Sequence, residues 1–440
     1  MLLRPYGSFH GGIDLPDDKR ACLDLQIVPA PRVTRLLVPL SPCGGRPARI
    51  LVRPHDGVYA GQRIAEGCDE SEVDVFSPLS GTVVGLTSAC VATDNGFSAT
   101  QAVEIANPGP PEELQAVRQV GDWSKAGPSE LIDRLSRGGL TTFCTSPAPL
   151  AGLLRRTGDI KADTVIVNAV EDQPYVTAAH RLLCEFGPDV AAGLAMLARA
   201  AGAGRSMLAV DARRTDSYRE AVRVARMYDI ACIGLPHKYP IGEPSLLVGV
   251  LTKRHLPPGA NPLDVGVLVL DPACCFAAYR WITSKLPPTH RVVTIVDERR
   301  GFAGNFWTPI GAVCTELAGT GGRVAIHGGP MTGLRVTTQA VVGPATDALL
   351  CVHEPQAEVA GPCFRCGWCI EHCPARLNVE MLNDCFELGL PDQAHRARVL
   401  DCVGCGVCGY ICPARLPLAQ RVRHLRRIIK GSAGATGAGI

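Results

Sequence analysis

The sequence predicts a multidomain chain of α/β and β parts that ends in a small helical module. Three observations point there. With 440 residues, 46% of them apolar, the chain holds enough for about three compact units at roughly 150 residues each. From about residue 129, apolar runs of four or five residues alternate with amphipathic stretches, the pattern of a parallel sheet covered by helices. Near the C-terminus, a run of four cysteines closed by a proline occurs twice.

Composition narrows the function classes. Lys+Arg 44 against Asp+Glu 42 leaves a formal net charge of +2, without the basic excess that phosphate binding needs, so no nucleic-acid partner is expected. Gly 47 and Pro 35 imply frequent turns and short elements. No apolar run approaches the ~18 to 20 residues that cross a bilayer, and Met1–Pro5 opens no secretory segment, so the expectation is a cytoplasmic chain with no transmembrane helix. Of the 20 cysteines, eight fall in the two tight C-terminal runs. That clustering indicates metal in a reducing compartment rather than a disulfide scaffold.

The first run is Cys363, Cys366, Cys369 and Cys373 followed by Pro374; Cys402, Cys405, Cys408, Cys412 and Pro413 repeat it 39 residues later. Three cysteines spaced by two residues let one loop present three thiolates to one cubane, while the fourth, beside the proline, leads away and serves the other cluster. The expected sets are therefore Cys363, Cys366, Cys369 and Cys412 for one [4Fe-4S] cluster, and Cys402, Cys405, Cys408 and Cys373 for the other. Zinc also takes four thiolates, but usually as two separated C-x2-C pairs with no third cysteine two residues on. Between the runs, Val379, Leu382, Cys385, Phe386 and Leu388 recur at helical spacing, so residues 351–430 read as a helical ferredoxin module with a long insert and Cys385 as a core residue. Two adjacent clusters pass single electrons between a donor and an acceptor.

Residues 1–106 read as short strands with Gly turns, as in Ile50–Gln62 and Val75–Val84. They resemble the barrel-sandwich hybrid of lipoyl and biotinyl carriers. Those carriers hang their cofactor from a lysine, and no Lys lies between Lys19 and Lys125, so lipoyl or biotinyl attachment is excluded. Residues 107–128 read as a linker. In 129–260, strands are expected at 164–167, 207–210 and 231–235, with helices near 177–186 and 216–228. Parallel sheets bind ligands at their strand C-terminal ends, which singles out Glu171 in the 168–175 loop and Lys238 in the 237–240 loop. Each is either a ligand contact or a solvated loop residue. In 261–350, strands are expected at 265–270, 292–296 and 324–326, with a helix beginning at Thr308–Pro309. There the Gly328–Gly329–Pro330–Met331 turn either cradles a ligand backbone or is a plain tight turn. The last helix carries Leu418, Val422, Leu425, Ile428 and Ile429 on one face among arginines. It packs on the ferredoxin module or meets a partner protein or an anionic membrane surface. Residues 431–440 read as a flexible tail.

Taken together, Glu171–Thr177, Lys238–Tyr239–Pro240, Asn305–Phe306–Trp307, Gly328–Met331 and the doubled cysteine run, in this order, resemble the RnfC family, a component of the Rnf ion-translocating electron transport complexes. The likeness runs from about Gly11–Gly12–Ile13 to the basic last helix. It implies an α/β domain similar to the NADH- and FMN-binding subunit of respiratory complex I and a β-grasp, SLBB-like unit over 261–350. It also implies a peripheral place on the cytoplasmic face of the inner (plasma) membrane, with the membrane subunits, ferredoxin and NADH as partners. FMN would pass electrons from NADH to the clusters in an ion-translocating NADH/ferredoxin oxidoreductase. Gly138 and Gly139 align with the family's Gly-rich flavin loop, and with Glu171 and Lys238 they make the cofactor-binding set the resemblance implies. Within Arg137–Pro147, however, Leu140 and Thr141 replace small residues and no Lys follows before Lys161, while Glu171–Pro174 keeps one of the family's two glutamates. Two functions stay open: a working NADH- and FMN-binding RnfC-like subunit, and a flavin-free iron-sulfur relay or assembly subunit with a degenerate nucleotide site.

Overall fold

The computed structural model describes residues 8–93, 96–115, 122–143, 147–257, 259–297, 301–319, 324–352 and 359–436, with side chains described except at 324, 352 and 431–436. The chain forms two compact units, one from Asp17–Gly234 and Gly266–Glu354, the other from Met1–Pro16, Leu235–Val265 and Pro355–Ile440. Among the described residues no helix is long and apolar enough to cross a membrane.

In the larger unit the N-terminal strands make two small sheets. Gly81–Thr93 and Gly96–Ala106 form a long antiparallel ribbon flanked by Arg35–Pro39 and Gly57–Val58, and Arg63–Glu66 lies between Arg49–Ile50 and Val75–Phe76. Alternate residues Leu36, Val38, Val103 and Ile105 point into one core, which also takes Ile64 and Val83. That core continues into Val293, Ile295, Phe306 and Leu349 of a six-stranded mixed sheet. Ile27–Pro29 crosses over to pair in parallel with Asn305–Trp307 of that sheet.

The α/β layer is a four-stranded sheet ordered Ala231–Leu235, Arg205–Asp211, Thr164–Ala169, Val267–Leu270. Thr164–Ala169 is parallel to both its neighbours and almost wholly buried, as its apolar run Val165–Val167 requires. The last strand falls past the expected domain boundary at residue 260, yet it pairs inside this sheet. The helix foreseen near 177–186 runs from Ala178 to Ala200, with a kink where Phe186 leaves helical geometry ahead of Pro188. Proline cannot supply the ladder N–H and its ring crowds the preceding turn, so the helix bends there. It does not stop, because Val190, Leu194 and Leu197 are buried beyond the bend. Gly193 lets this helix press onto the Pro272–Ser284 helix, since a Cβ there would fall 2.0 Å from the Cys275 carbonyl oxygen.

One expectation is corrected outright. Thr308–Pro309 opens no helix; it closes the strand Phe302–Pro309, in register with His290. At a strand end a proline forfeits no interior ladder bond. The helix that follows is short, Cys314–Ala318.

In the smaller unit, Val379–Glu387, Pro391–Arg396 and Leu418–Thr436 surround a core of Leu377, Leu382, Cys385, Val399, Leu416, Val422 and Leu425. Asn378 caps the first of these helices, its side-chain oxygen accepting from Met381 N at 2.9 Å. Cys385 is 1% exposed, a core residue as expected, whereas Leu388 lies at the surface. The apolar face of the last helix packs into this core through Leu418, Val422 and Leu425. The helix extends to Thr436, into the stretch read as tail; 437–440 lie outside the described residues.

Candidate functional site

The doubled cysteine run folds as a doubled turn. Arg365 and Gly367 have positive φ (55° and 78°), and so do Gly404 and Gly406 (74° and 81°), 39 residues later. Arg376 and Arg415 repeat the match after each closing proline (55° and 56°). Each loop then starts a short helix, Trp368–Glu371 and Val407–Tyr410. These left-handed positions turn the backbone of each loop, and the cysteines of each run line a cavity.

Two cavities result. The first is lined by Cys363, Cys366 and Cys369 from its own loop and by Cys412 from the other. The second is lined by Cys402, Cys405 and Cys408 together with Cys373. Cys363 and Cys366 are exposed and the other six half-buried. Burial pushes the free thiols of the second cavity up, Cys405 to about 12 and Cys408 further, and Cys369 of the first to about 11. Such thiols become thiolates only when a metal supplies positive charge, so metal binding must release protons. Among the described residues no three or more His, Cys, Asp or Glu side chains are placed to hold a single metal ion. Four thiols around a cavity fit a polynuclear iron-sulfur cluster, in which each iron takes one thiolate.

The same unit holds Lys238 and Tyr239. Lys238 Nζ donates to Phe9 O at 2.8 Å and Ser8 Oγ at 3.1 Å, and lies over the Phe9 ring. It ties down the N-terminal segment. Tyr239, 2% exposed, exchanges backbone bonds with Ile13, and its hydroxyl donates to Cys405 O at 2.6 Å. Gly12 N donates to His372 O at 2.9 Å. Gly11, at φ 67°, has no room for a side chain, since a Cβ would stand 2.6 Å from that carbonyl oxygen. Gly11 is thus required by close approach to the first cysteine loop, and Gly12 by close approach to the Tyr239 carbonyl and the Phe9 ring.

The other sequence-marked residues lie in the larger unit. Glu171 turns its carboxylate onto the start of the Ala178–Ala200 helix, accepting from Ala179 N at 2.7 Å and His180 N at 3.0 Å. Burial raises its pKa, opposed by Lys19 and these two donors. Lys19 is buried, and Nζ donates to Glu171 O at 2.5 Å and Val176 O at 2.6 Å. Nothing in the local Asp17–Asp18–Lys19–Arg20 pattern marks an internal lysine, so sequence reasoning missed it. Gln173 joins the Gly328–Met331 turn, with Nε2 donating to Thr332 Oγ1 at 2.8 Å and Oε1 accepting from Met331 N at 3.1 Å. Asn305 accepts from Thr177 Oγ1 and Thr294 Oγ1 and donates to Cys22 O. Glu171–Thr177, Asn305 and the Gly-Gly-Pro turn therefore meet as one internal polar network.

At Gly138 and Gly139 the space a side chain would take is filled by protein. A Cβ on Gly138 would meet the Trp281 ring at 2.7 Å, and one on Gly139, φ 64°, the Asp74 carbonyl at 2.4 Å. Leu140, Thr141, Thr142 and Phe143 are buried behind them; 144–146 lie outside the described residues.

Residues 7–109 match the RnfC barrel sandwich hybrid domain and residues 148–280 the Nuo51 FMN-binding domain. The chain is 27% identical to the C component of the proton-translocating ferredoxin:NAD(+) oxidoreductase complex of Clostridium ljungdahlii, over 95% of its own length and 93% of that protein's. It resembles RnfC throughout. The corresponding C components of the ion-translocating oxidoreductase complexes of Edwardsiella ictaluri and Erwinia tasmaniensis are 28% and 29% identical over 85% and 94% of the chain. The RnfC-like chain spans about half the length of these two, 48% and 53%. Among solved structures, an NAD+-reducing [NiFe]-hydrogenase chain is similar over 70% of this chain and 61% of that one, at 15% identity and TM-score 0.49.

The FMN-binding match begins at residue 148, just past the Gly138–Gly139 turn. At that turn Trp281 and Asp74 stand where a side chain on Gly138 or Gly139 would go, so packing within the protein already accounts for both glycines. Glu171 and Lys238 spend their polar atoms on a helix start and on the N-terminal segment.

Proposed function

We propose that this chain is the peripheral, cytoplasmic-face RnfC-like subunit of a membrane-bound, ion-translocating complex that couples NADH and ferredoxin redox chemistry, and that its own part is to carry single electrons. The observation that carries this reading is the pair of four-cysteine cavities with exchanged fourth cysteines. Two [4Fe-4S] clusters, when bound, supply one-electron transfer. Cys363, Cys366, Cys369 and Cys412 would hold one, and Cys402, Cys405, Cys408 and Cys373 the other. The exchange of Cys373 and Cys412 staples the halves of the module, and Tyr239 and Gly12 brace the loops from outside. The β-grasp-like and ferredoxin-like assignments belong to the same proposal, as do ferredoxin, NADH and the membrane subunits as partners.

A second reading, the flavin-free relay, is favoured by the packed Gly138–Gly139 turn. Iron, acid-labile sulfide and flavin content of anaerobically purified protein test both at once. Two four-iron clusters with flavin support the NADH-oxidising role, clusters without flavin support the relay, and absence of clusters refutes both.

A further inference from the structure

This inference rests on the two-cluster reading. The 39-residue repeat lets the two halves be compared position by position. Asp384 and Glu387 of the first half fall where the second has Arg423 and Arg426, and Glu380 and Asn383 fall where it has Ala419 and Val422. The first cavity is lined by Arg365, Glu380 and Asn383, the second by Ala419, Val422, Arg423 and Arg426. Beside the first, Arg365 holds Glu380 at 3.2 Å and Asp384 at 3.4 Å, and Arg421 holds Glu387 at 2.5 Å. Beside the second, two arginines flank the thiols, and Glu243 is the acid whose charge reaches Arg426. At the first cavity arginine charge is matched by carboxylates, whereas at the second two arginines face a single acid.

Among the described residues, each cavity wall also contains one buried N–H group with no partner, Asn383 Nδ2 in the first and Arg426 Nε in the second. The Asn383 amide is oriented by Arg421, whose Nη1 donates to Oδ1 at 2.5 Å. A buried donor left unsatisfied is costly, the more so if it is charged. That each orphan stands in a wall ringed by four thiols points to the sulfur of a bound cluster as its acceptor.

We propose that Asn383 and Arg426 donate N–H···S hydrogen bonds to the clusters of the first and second cavities respectively, and that the cationic donor makes the second cluster the more easily reduced. Reduction adds one negative charge. A guanidinium in a low-dielectric wall stabilises that charge directly, while an amide offers only a dipole. Backbone donors act in the same direction, because Gly404 N to Cys402 Sγ and Leu377 N to Cys373 Sγ, both 3.4 Å, serve thiols of the second cavity. An electron entering the module therefore comes to rest beside Arg426.

Potentiometric titration of the full chain with both clusters loaded, followed by paramagnetic resonance, tests this. Arg426→Leu lowers one midpoint by at least a tenfold change in the reduction equilibrium, about 59 mV for a one-electron couple, and leaves the other in place. The cluster that moves is the one lost in Cys402→Ser. Arg426→Lys keeps the charge, loses the Nε–H and gives a smaller fall; Asn383→Leu lowers the other midpoint, also by less. Equal shifts, no shift, or a shift on the cluster lost in Cys363→Ser overturns the proposal. Should Arg426→Leu fail to retain iron, Arg426→Lys decides alone, and an unmoved midpoint overturns the proposal. Wild-type protein without four-iron clusters instead overturns the reading beneath it.

Discussion

Replacing Cys373 with Ser separates a crossed ligand set from two self-contained ones. Cys373 sits in the first run but lines the second cavity. Serine keeps an acceptor for Leu377 N, which donates to the sulfur at 3.4 Å, so the cost to the fold is only about 1 kcal/mol. The loss falls on the metal instead: one of four thiolates is removed from one cluster, and iron and sulfide drop towards half. Four variants read together give the assignment by paramagnetic resonance. Cys373→Ser and Cys402→Ser lose or alter one signal, and Cys412→Ser and Cys363→Ser the other. If Cys373→Ser grouped with Cys363→Ser, each run would hold its own cluster and the crossing would be wrong.

Three further outcomes follow from the larger unit. Gly138→Ala and Gly139→Ala each destabilise it by about 2 to 4 kcal/mol, the first by pushing Trp281 off its 2.8 Å bond to Arg134 O and the second by strain at positive φ; denaturant unfolding measures this, with cluster content unchanged. Lys19→Met leaves the carbonyls of Glu171 and Val176 without their donor and costs about 2 to 4 kcal/mol, read as a lower unfolding midpoint. Burial pushes His180 and His327 down to about 4 and His290 to about 3. The unfolded chain then binds more protons below its ordinary histidine pKa near 6.5, so stability contributed by neutral histidine is complete above that pH and is lost as pH falls towards 4. At pH 5 the loss is about 2 kcal/mol per histidine, checked by denaturant midpoints at pH 7.5 and 5.

The parts of the fold governed by local pattern are legible in the sequence. Buried runs such as Val165–Val167 read as strands because both faces need apolar residues, and the spacing of the eight cysteines carries its own geometry. What escapes depends on distant partners. Pro188 and Pro309 each look like a helix boundary, and packing decides otherwise: buried residues beyond the bend carry one helix on, and pairing with His290 makes the other a strand end. Lys19 and Lys238 show the same limit, since a lone lysine reads as solvated or as a ligand contact until the carbonyls that receive it are known. The Gly138–Gly139 turn is the sharpest case. Two adjacent glycines signal close approach, but only the fold reveals that Trp281 and Asp74 approach them.

The central claim is that eight cysteines hold two four-iron clusters. Metal and acid-labile sulfide analysis of the chain synthesised and purified without oxygen tests it most directly. The expected result is about eight irons with matching sulfide per chain, four for each cavity; zinc in place of iron and sulfide would contradict it.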